Sequence, residues 1–356
     1  MTERQRALGD FGGEGRNRSK SSSDPPEYNY SIEGHIGYFS WYRGTPSLSF
    51  IDSDATLNCD SLVGESLRVT LHEERVCGNC GEKLSKPKYS VCYDCKQRPP
   101  FTQCIKTPGT DCKNADCPFP DYKRDACAHT YVVYLVTKAD VKVGISRSDR
   151  RLQRWAEQGA SHAIVVAETP NRKSAGLIEE AFSDRFETQS SSSWYEPRTS
   201  PVEDLVEATR TVPEYIPDDS RLHACLTLND LDEDVVADRV VSIPHRATGI
   251  DHARGVNRPE LEVGDNGEGT ILGVRGSVIL TDSFALNLKK RQGYRTTIET
   301  TAELAVEVED KLCCLLRFVG GLWDGVAQKL QSERQLKDSN DGTHYSGGDG
   351  RSERSG

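Results

Sequence analysis

The stretch Tyr131–Ala160, YVVYLVTKADVKVGISRSDRRLQRWAEQGA, decides how the rest of the chain is read. It opens on an apolar, β-branched run from Tyr131 to Val136, crosses a polar turn at Lys138 to Asp140, and resumes with Val141 to Ile145. Two such runs joined by a short polar connection predict a pair of strands. Arg150 to Gln158 then reads as a helix, with Leu152 and Trp155 three apart among charges and Gly159 as its stop. Gly144 is expected at the corner between the second strand and this helix, where a glycine turns the backbone sharply and leaves amides open to a ligand.

Immediately upstream lie most of the twelve cysteines. Cys77 and Cys80 form one CxxC and Cys92 and Cys95 another, with eleven residues between the pairs. Each knuckle places two thiolates on one tight turn, and together they complete a tetrahedral set, the pattern of a structural zinc ribbon. A closed four-cysteine site holds the fold and leaves no open position for catalysis. A second quartet, Cys104, Cys112, Cys117 and Cys127, has looser spacing with Pro and Gly between its members, and points to a second metal with zinc as the expected ion. His129 is an alternative to Cys127 in that set. Cys59 stands alone and is expected to be a buried small hydrophobe.

The remaining text divides by composition. Residues 1–27 and 337–356 are rich in Gly, Ser, Arg and Asp and predict disordered tails. Residues 28–75 carry short alternating runs and predict a small β module; residues 76–128 are the zinc-binding region. The core, residues 129–200, continues with a strand at Ala163 to Ala167 and a helix at Lys173 to Phe186; Trp194 and Tyr195 are expected to pack. Residues 201–298 begin with helical stretches at Leu205 to Thr211 and Leu231 to Val236. They end in strands at Thr270 to Val274, Ser277 to Leu280, Phe284 to Leu288 and Tyr294 to Ile298, expected to pack with the N-terminal module. Residues 299–336 read as a helix carrying Cys313 and Cys314. The fold class is α+β.

The net charge of −10 is the wrong sign for binding nucleic acid by bulk charge. Abundant acidic residues, more arginine than lysine and a single methionine fit a surface of halophile type. No secretory signal and no apolar run of about 20 residues is present, so no membrane partner is expected; free cysteines in such numbers suit a cytoplasmic protein. Against the acidic background, Lys142, Arg147, Arg150, Arg151 and Arg154 form a local basic cluster. Such a cluster is either a phosphate-backbone footprint or a set of helix-surface ion pairs with Asp149 and Glu157.

Several segments carry a resemblance: LNCDSLVGESLRV, CGNCGEKL, VYLV, KVGISR, RWAEQGA, AGLIE and GTILGVRGSVILTDSFALNLKKRQGY. Over Gly34 to Tyr294 the chain is similar to an uncharacterised archaeal and bacterial family known only as a domain of unknown function. Its core resembles the GIY-YIG nuclease superfamily. That resemblance implies two tyrosines, a helix arginine and a glutamate on one face of a small sheet, with the glutamate binding a divalent ion. By position Tyr134 matches the first tyrosine, Gly144 the last glycine of the second motif, Arg154 the arginine and Glu179 the glutamate, with Glu180 its neighbouring competitor. Lys142 stands where the second tyrosine is expected; a lysine binds phosphate as a point charge but offers no ring-held hydroxyl. Three functions stay open: a nucleic-acid-binding protein on a GIY-YIG-like core, an active endonuclease using Mg²⁺ or Mn²⁺ at Glu179, and a zinc-stapled protein-interaction module.

Overall fold

The computed structural model describes residues 26–42, 44–138, 140–186, 201–227, 232–243 and 258–302. The expected C-terminal tail, all but the last two residues of the N-terminal tail, Trp194, Tyr195, Cys313 and Cys314 lie outside them. Of the expected 299–336 helix, only residues 299–302 are described; Glu299 and Thr300 end a strand instead. Their partners explain this, because Thr300 and Glu299 pair with Tyr30 and Ser31 on one side and with Leu67 and Arg68 on the other.

The protein is α+β, built on a large curled antiparallel sheet and a second, smaller one. The large sheet takes β1 (Tyr30–Tyr42), β2 (Thr45–Phe50), β3 (Thr56–Asn58) and β4 (Ser66–Arg75) from the N-terminal part. The small sheet takes β5 (Tyr131–Thr137), β6 (Val141–Arg147), β7 (His162–Thr169) and β8 (Val241–Ser242). The chain then returns to the large sheet with β9 (Asn266–Arg275), β10 (Val278–Thr281), β11 (Ala285–Asn287) and β12 (Tyr294–Thr300). The strand orders are β11-β10-β9-β4-β12-β1-β2-β3 and β6-β5-β7-β8.

The two β regions that sequence patterning separates are halves of one sheet. β4 lies between β9 and β12, and β12 lies between β4 and β1. β1 is long enough to serve two partners: Tyr30 to His35 pair with β12, a register shift follows Ile36, and Phe39 to Tyr42 pair with β2. Residues 201–298 are divided by the same topology. The helices Pro201–Tyr215 and Glu233–Asp238 and strand β8 belong to the small-sheet layer, whereas β9 to β12 belong to the large sheet.

β5 explains why its sequence is apolar throughout. All seven of its residues are buried, because both faces of the small sheet are covered. Val132, Tyr134 and Val136 point into the core of the large sheet with Trp155 and Ala156. Tyr131, Val133 and Leu135 point the other way, onto Ile178 and Phe182 of the helix Arg172–Phe182 and Leu205 of the helix Pro201–Tyr215. Truncating such a side chain, Leu135→Ala for example, costs about 2–5 kcal/mol.

The helix Arg151–Glu157 is the spacer between the sheets. Trp155 faces inward at 1% exposure, while Leu152, which the sequence pairs with it, stands 59% exposed. At its end Gly159 has φ +71° and meets Gly276, φ +58°, in the β9–β10 turn. A Cβ on either glycine would come within 3.2 Å of the other's backbone. Arg275 Nε donates to Gly159 O at 2.9 Å and Trp41 Nε1 to Gly276 O at 2.7 Å, closing the joint.

Candidate metal centre and basic cluster

The first cysteine quartet is drawn together. The Sγ atoms of Cys77, Cys80, Cys92 and Cys95 all lie within 4.8 Å of one another, and Cys80 and Cys92 sulfurs are 3.7 Å apart. The knuckle closes through Gly81 N to Cys77 O at 2.9 Å, and Gly81 adopts φ +76° to make that turn. Backbone amides of Asn79 and Cys92 donate to Cys77 Sγ at 3.5 and 3.3 Å, and Asn79 Nδ2 donates to Cys95 Sγ at 3.2 Å. Burial pushes the Cys77 thiol up, yet amide donation from Cys92, Cys80 and Asn79 outweighs it and brings the group to about 7. Cys80 is pushed up to about 12, by burial first and then by its thiol neighbours. Thiols this close cannot all ionise unaided, and a divalent cation such as zinc resolves that by taking all four as thiolates. The donor set, spacing and N–H···S support fit a structural ion.

The ribbon is fastened to the large sheet. Arg75 donates from Nη1 to Pro87 O at 2.7 Å and from Nε to Gln292 O at 2.9 Å, with its guanidinium over the Tyr294 ring. Gly78 is held so close to Gln292 that a Cβ would sit 2.8 Å from it.

The second quartet lies differently. Cys104, Cys112, Cys117 and Cys127 line one pocket of about 580 Å³, and their sulfurs are not drawn within 4.8 Å of one another as those of the first quartet are. His129 Nε2 is 3.0 Å from Asp125 O, a contact in which that nitrogen is the donor, so this nitrogen is committed to the backbone. Cys59 is fully buried, its thiol pushed up to about 12 by burial, as expected of a core cysteine.

Tyr134, Lys142, Arg154 and Glu179 come into one electrostatic neighbourhood. Tyr134 is fully buried, its ring edge-on to Trp155, and its hydroxyl donates to Gln158 Oε1 at 3.2 Å. Burial pushes this phenol up to about 12 despite Arg154 beside it. Arg154 stands on the outer face of its helix, 44% exposed, with Glu157 3.8 Å away. Burial raises the Glu179 carboxyl above its ordinary range, against the opposing pull of Arg172, Lys142 and Arg154. Glu180 does not compete, since its carboxylate accepts from Thr110 N (3.0 Å) and Thr110 Oγ1 (2.5 Å) on the cysteine-rich segment.

Gly144 lies elsewhere than expected. It sits inside β6, paired with Tyr134 across the ladder, and the chain turns into the helix only after Arg147. A Cβ on Gly144 would be 2.8 Å from Tyr134 Oη, so the glycine makes room for the ring. The arginine cluster is mixed in role: Arg147 pairs with Asp149, and Arg151 Nη1 donates to Ser148 O at 2.8 Å.

Residues outside the motif join this electrostatic neighbourhood. Tyr38 of β1, 48% exposed, faces Glu157, Arg150 and Arg154. Lys138 is brought down to about 8 by burial and then by Lys142, Arg275 and Lys289. Lys289 is lowered in turn by burial and Arg154. Sequence patterning misses Tyr38 and Lys289 because they come from the large-sheet part of the chain, whereas Lys138 lies in the β5–β6 turn; the Lys289-Lys290-Arg291 run is a local signal.

Residues 64–296 match the model of a family described as "Protein of unknown function (DUF2797)". No curated protein and no solved structure matches the chain. Among the described residues, no helix is long and apolar enough to cross a membrane.

Proposed function

The chain belongs to the DUF2797 family, a membership that assigns no activity, and from this basic cluster we propose that it binds nucleic acid through a GIY-YIG-like core stapled by a zinc ribbon. The observation that carries this is that Lys138, Lys142, Arg154 and Lys289 fall within one another's electrostatic reach in a chain of net charge −10. Lys138 and Lys289 are lowered by burial first and then by neighbouring cations, and a polyanion offsets that like charge. Exposed Tyr38 beside Arg150 and Arg154 would supply an aromatic face for an unpaired base, and stacking of this kind is worth about 1–3 kcal/mol per base. The ribbon holds the end of β4 and serves the fold.

A second reading, a metal-dependent endonuclease, is favoured by Glu179 lying in the field of Arg154 beside the Tyr134 hydroxyl. Glu179 is the carboxylate that would hold Mg²⁺ or Mn²⁺ together with a substrate phosphate, and the ion would supply charge stabilisation at the phosphoryl group. Arg154 would offset developing charge beside it.

The test uses zinc-loaded protein with labelled single-stranded, duplex and branched substrates, with and without manganese, beside Arg154→Ala and Glu179→Ala. Binding weakened by Arg154→Ala alone, without cleavage, supports recognition. Cleavage abolished in both variants establishes the nuclease. Neither binding nor cleavage overturns both readings and leaves the zinc-stapled interaction module.

A further inference from the structure

A zinc ion holds four thiolates at about 2.3 Å, so their sulfurs must approach within about 4 Å of one another. The first quartet does this, and among the described residues no other group of three or more candidate ligand atoms gathers within 4.8 Å. Cys104, Cys112, Cys117 and Cys127 nevertheless share the wall of one 580 Å³ pocket. That volume would hold about twenty waters at liquid density, far more space than one ion fills. Four thiols spread around such a space suit a polynuclear centre, in which different sulfurs bind different metal atoms and bridging sulfides occupy the middle.

The wall also suits an anionic occupant with a taste for N–H donors. Thiolates and sulfides leave a four-cysteine cluster negatively charged, and Arg172, Lys173, Lys113 and Lys123 lie on this wall beside apolar Ile105 and Phe119. Arg172 is fixed by Nη2 to Ile105 O at 2.7 Å and by Nη1 to Tyr131 Oη at 3.2 Å. Its Nε is buried with no hydrogen-bond partner. A buried N–H left unmatched is costly, and donation to cluster sulfur is a common way such centres are stabilised and tuned. Asp111, also on the wall, is taken by the Thr107 hydroxyl.

We propose that this pocket binds an iron–sulfur cluster ligated by Cys104, Cys112, Cys117 and Cys127. The proposal is independent of the nucleic-acid reading. It has a structural consequence, because the cysteine-rich segment is locked onto the helix that carries Glu179. Gly176 lies so close to Gly109 that a Cβ there would be 2.5 Å from its amide, and Thr110 binds Glu180 next along the helix.

The test is anaerobic purification of the full chain and its reconstitution with ferrous iron and sulfide. Iron and acid-labile sulfide are expected in equal amounts, together with visible thiolate-to-iron absorption and one zinc per chain. Cys112→Ser with Cys117→Ser should lose the iron, sulfide and colour but keep the zinc, which also reports that the variant is folded. Cys77→Ser with Cys80→Ser should lose zinc and keep the colour. Two zinc per chain with no iron after reconstitution would overturn the proposal, as would iron without sulfide, or colour surviving in the Cys112/Cys117 variant.

Discussion

Tyr134 and Gly144 are direct partners across the β5–β6 ladder, and the tyrosine ring occupies the space that a side chain at 144 would need. A methyl group there would meet the hydroxyl at 2.8 Å and the ring carbon bearing it at 2.9 Å, in a region with no slack because Tyr134 is fully buried against Trp155. Gly144→Ala should therefore destabilise the fold by about 1–3 kcal/mol, the usual cost of overpacking. Urea unfolding measures it. Gly144→Ala combined with Tyr134→Leu should recover part of the loss relative to Tyr134→Leu alone, because the clash has gone. If the two changes simply add, ring clearance is not what the glycine provides.

Glu179 tests whether the basic cluster stores cost in exchange for chemistry. Its folded-state pKa is raised, by burial first, above the ordinary glutamate value. The folded protein therefore binds this proton more tightly than the unfolded chain, and the favourable contribution is complete below about pH 4. It is lost as pH rises through the folded value, so burial of this group works against folding at neutral pH. Glu179→Gln is thus expected to raise the melting temperature at pH 7 and to change it little near pH 4. A variant less stable than wild type at pH 7 would mean that Arg172, Lys142 and Arg154 outweigh burial.

How much of this was legible in the sequence follows from where each partner lies along the chain. The β5–β6 hairpin and the helix after it depend on neighbours within Tyr131 to Ala160, and periodicity finds them. The first quartet is equally local, since each knuckle closes on its own turn. β4 and β12 are separated by most of the chain yet hydrogen-bonded to each other, so the large sheet reads locally as two unrelated modules. Leu152 misled because a short helix between two sheets buries a narrow stripe, which Trp155 and Ala156 fill. Gly144 misled for another reason: a glycine opposite an aromatic residue looks, in sequence, like a turn. Tyr38 and Lys289 come near Arg154 from the large-sheet part of the chain, and no pattern within the core could name them.

The zinc ribbon makes a separate prediction about stability. Arg75 spans from the end of β4 to Pro87 and Gln292, so disrupting the knuckles should loosen the junction of β4 and β12. Cys92→Ser is expected to lose one equivalent of zinc and lower the melting temperature. Added zinc should raise the melting temperature of the metal-stripped wild type in a concentration-dependent way, as binding to the folded state requires. Hydrogen exchange should quicken first around Arg75, Val76 and Tyr294. Unchanged zinc content in Cys92→Ser would remove that cysteine from the ligand set.

Lys138 offers a pH signature for the basic cluster itself. Its ammonium group is brought down to about 8 by burial and by Lys142, Arg275 and Lys289, so raising the pH from 7 to 9 discharges it. A bound phosphate chain stabilises the charged form, and linkage then requires affinity to fall as that charge is lost, by at most about tenfold per pH unit above 8. Stability should run the other way. A lysine with a depressed folded-state pKa contributes stability that grows as pH rises through that value, so the unliganded protein should become more stable over the interval in which it releases nucleic acid. Binding to a labelled oligonucleotide and thermal melting, measured across pH 7 to 9 at fixed salt, separate discharge of the cluster from unfolding. Lys138→Gln should flatten most of the binding profile, leaving the smaller slope due to Lys289, which is lowered in the same direction. A wild-type affinity that does not change across the interval would show that the oligonucleotide binds somewhere other than this cluster.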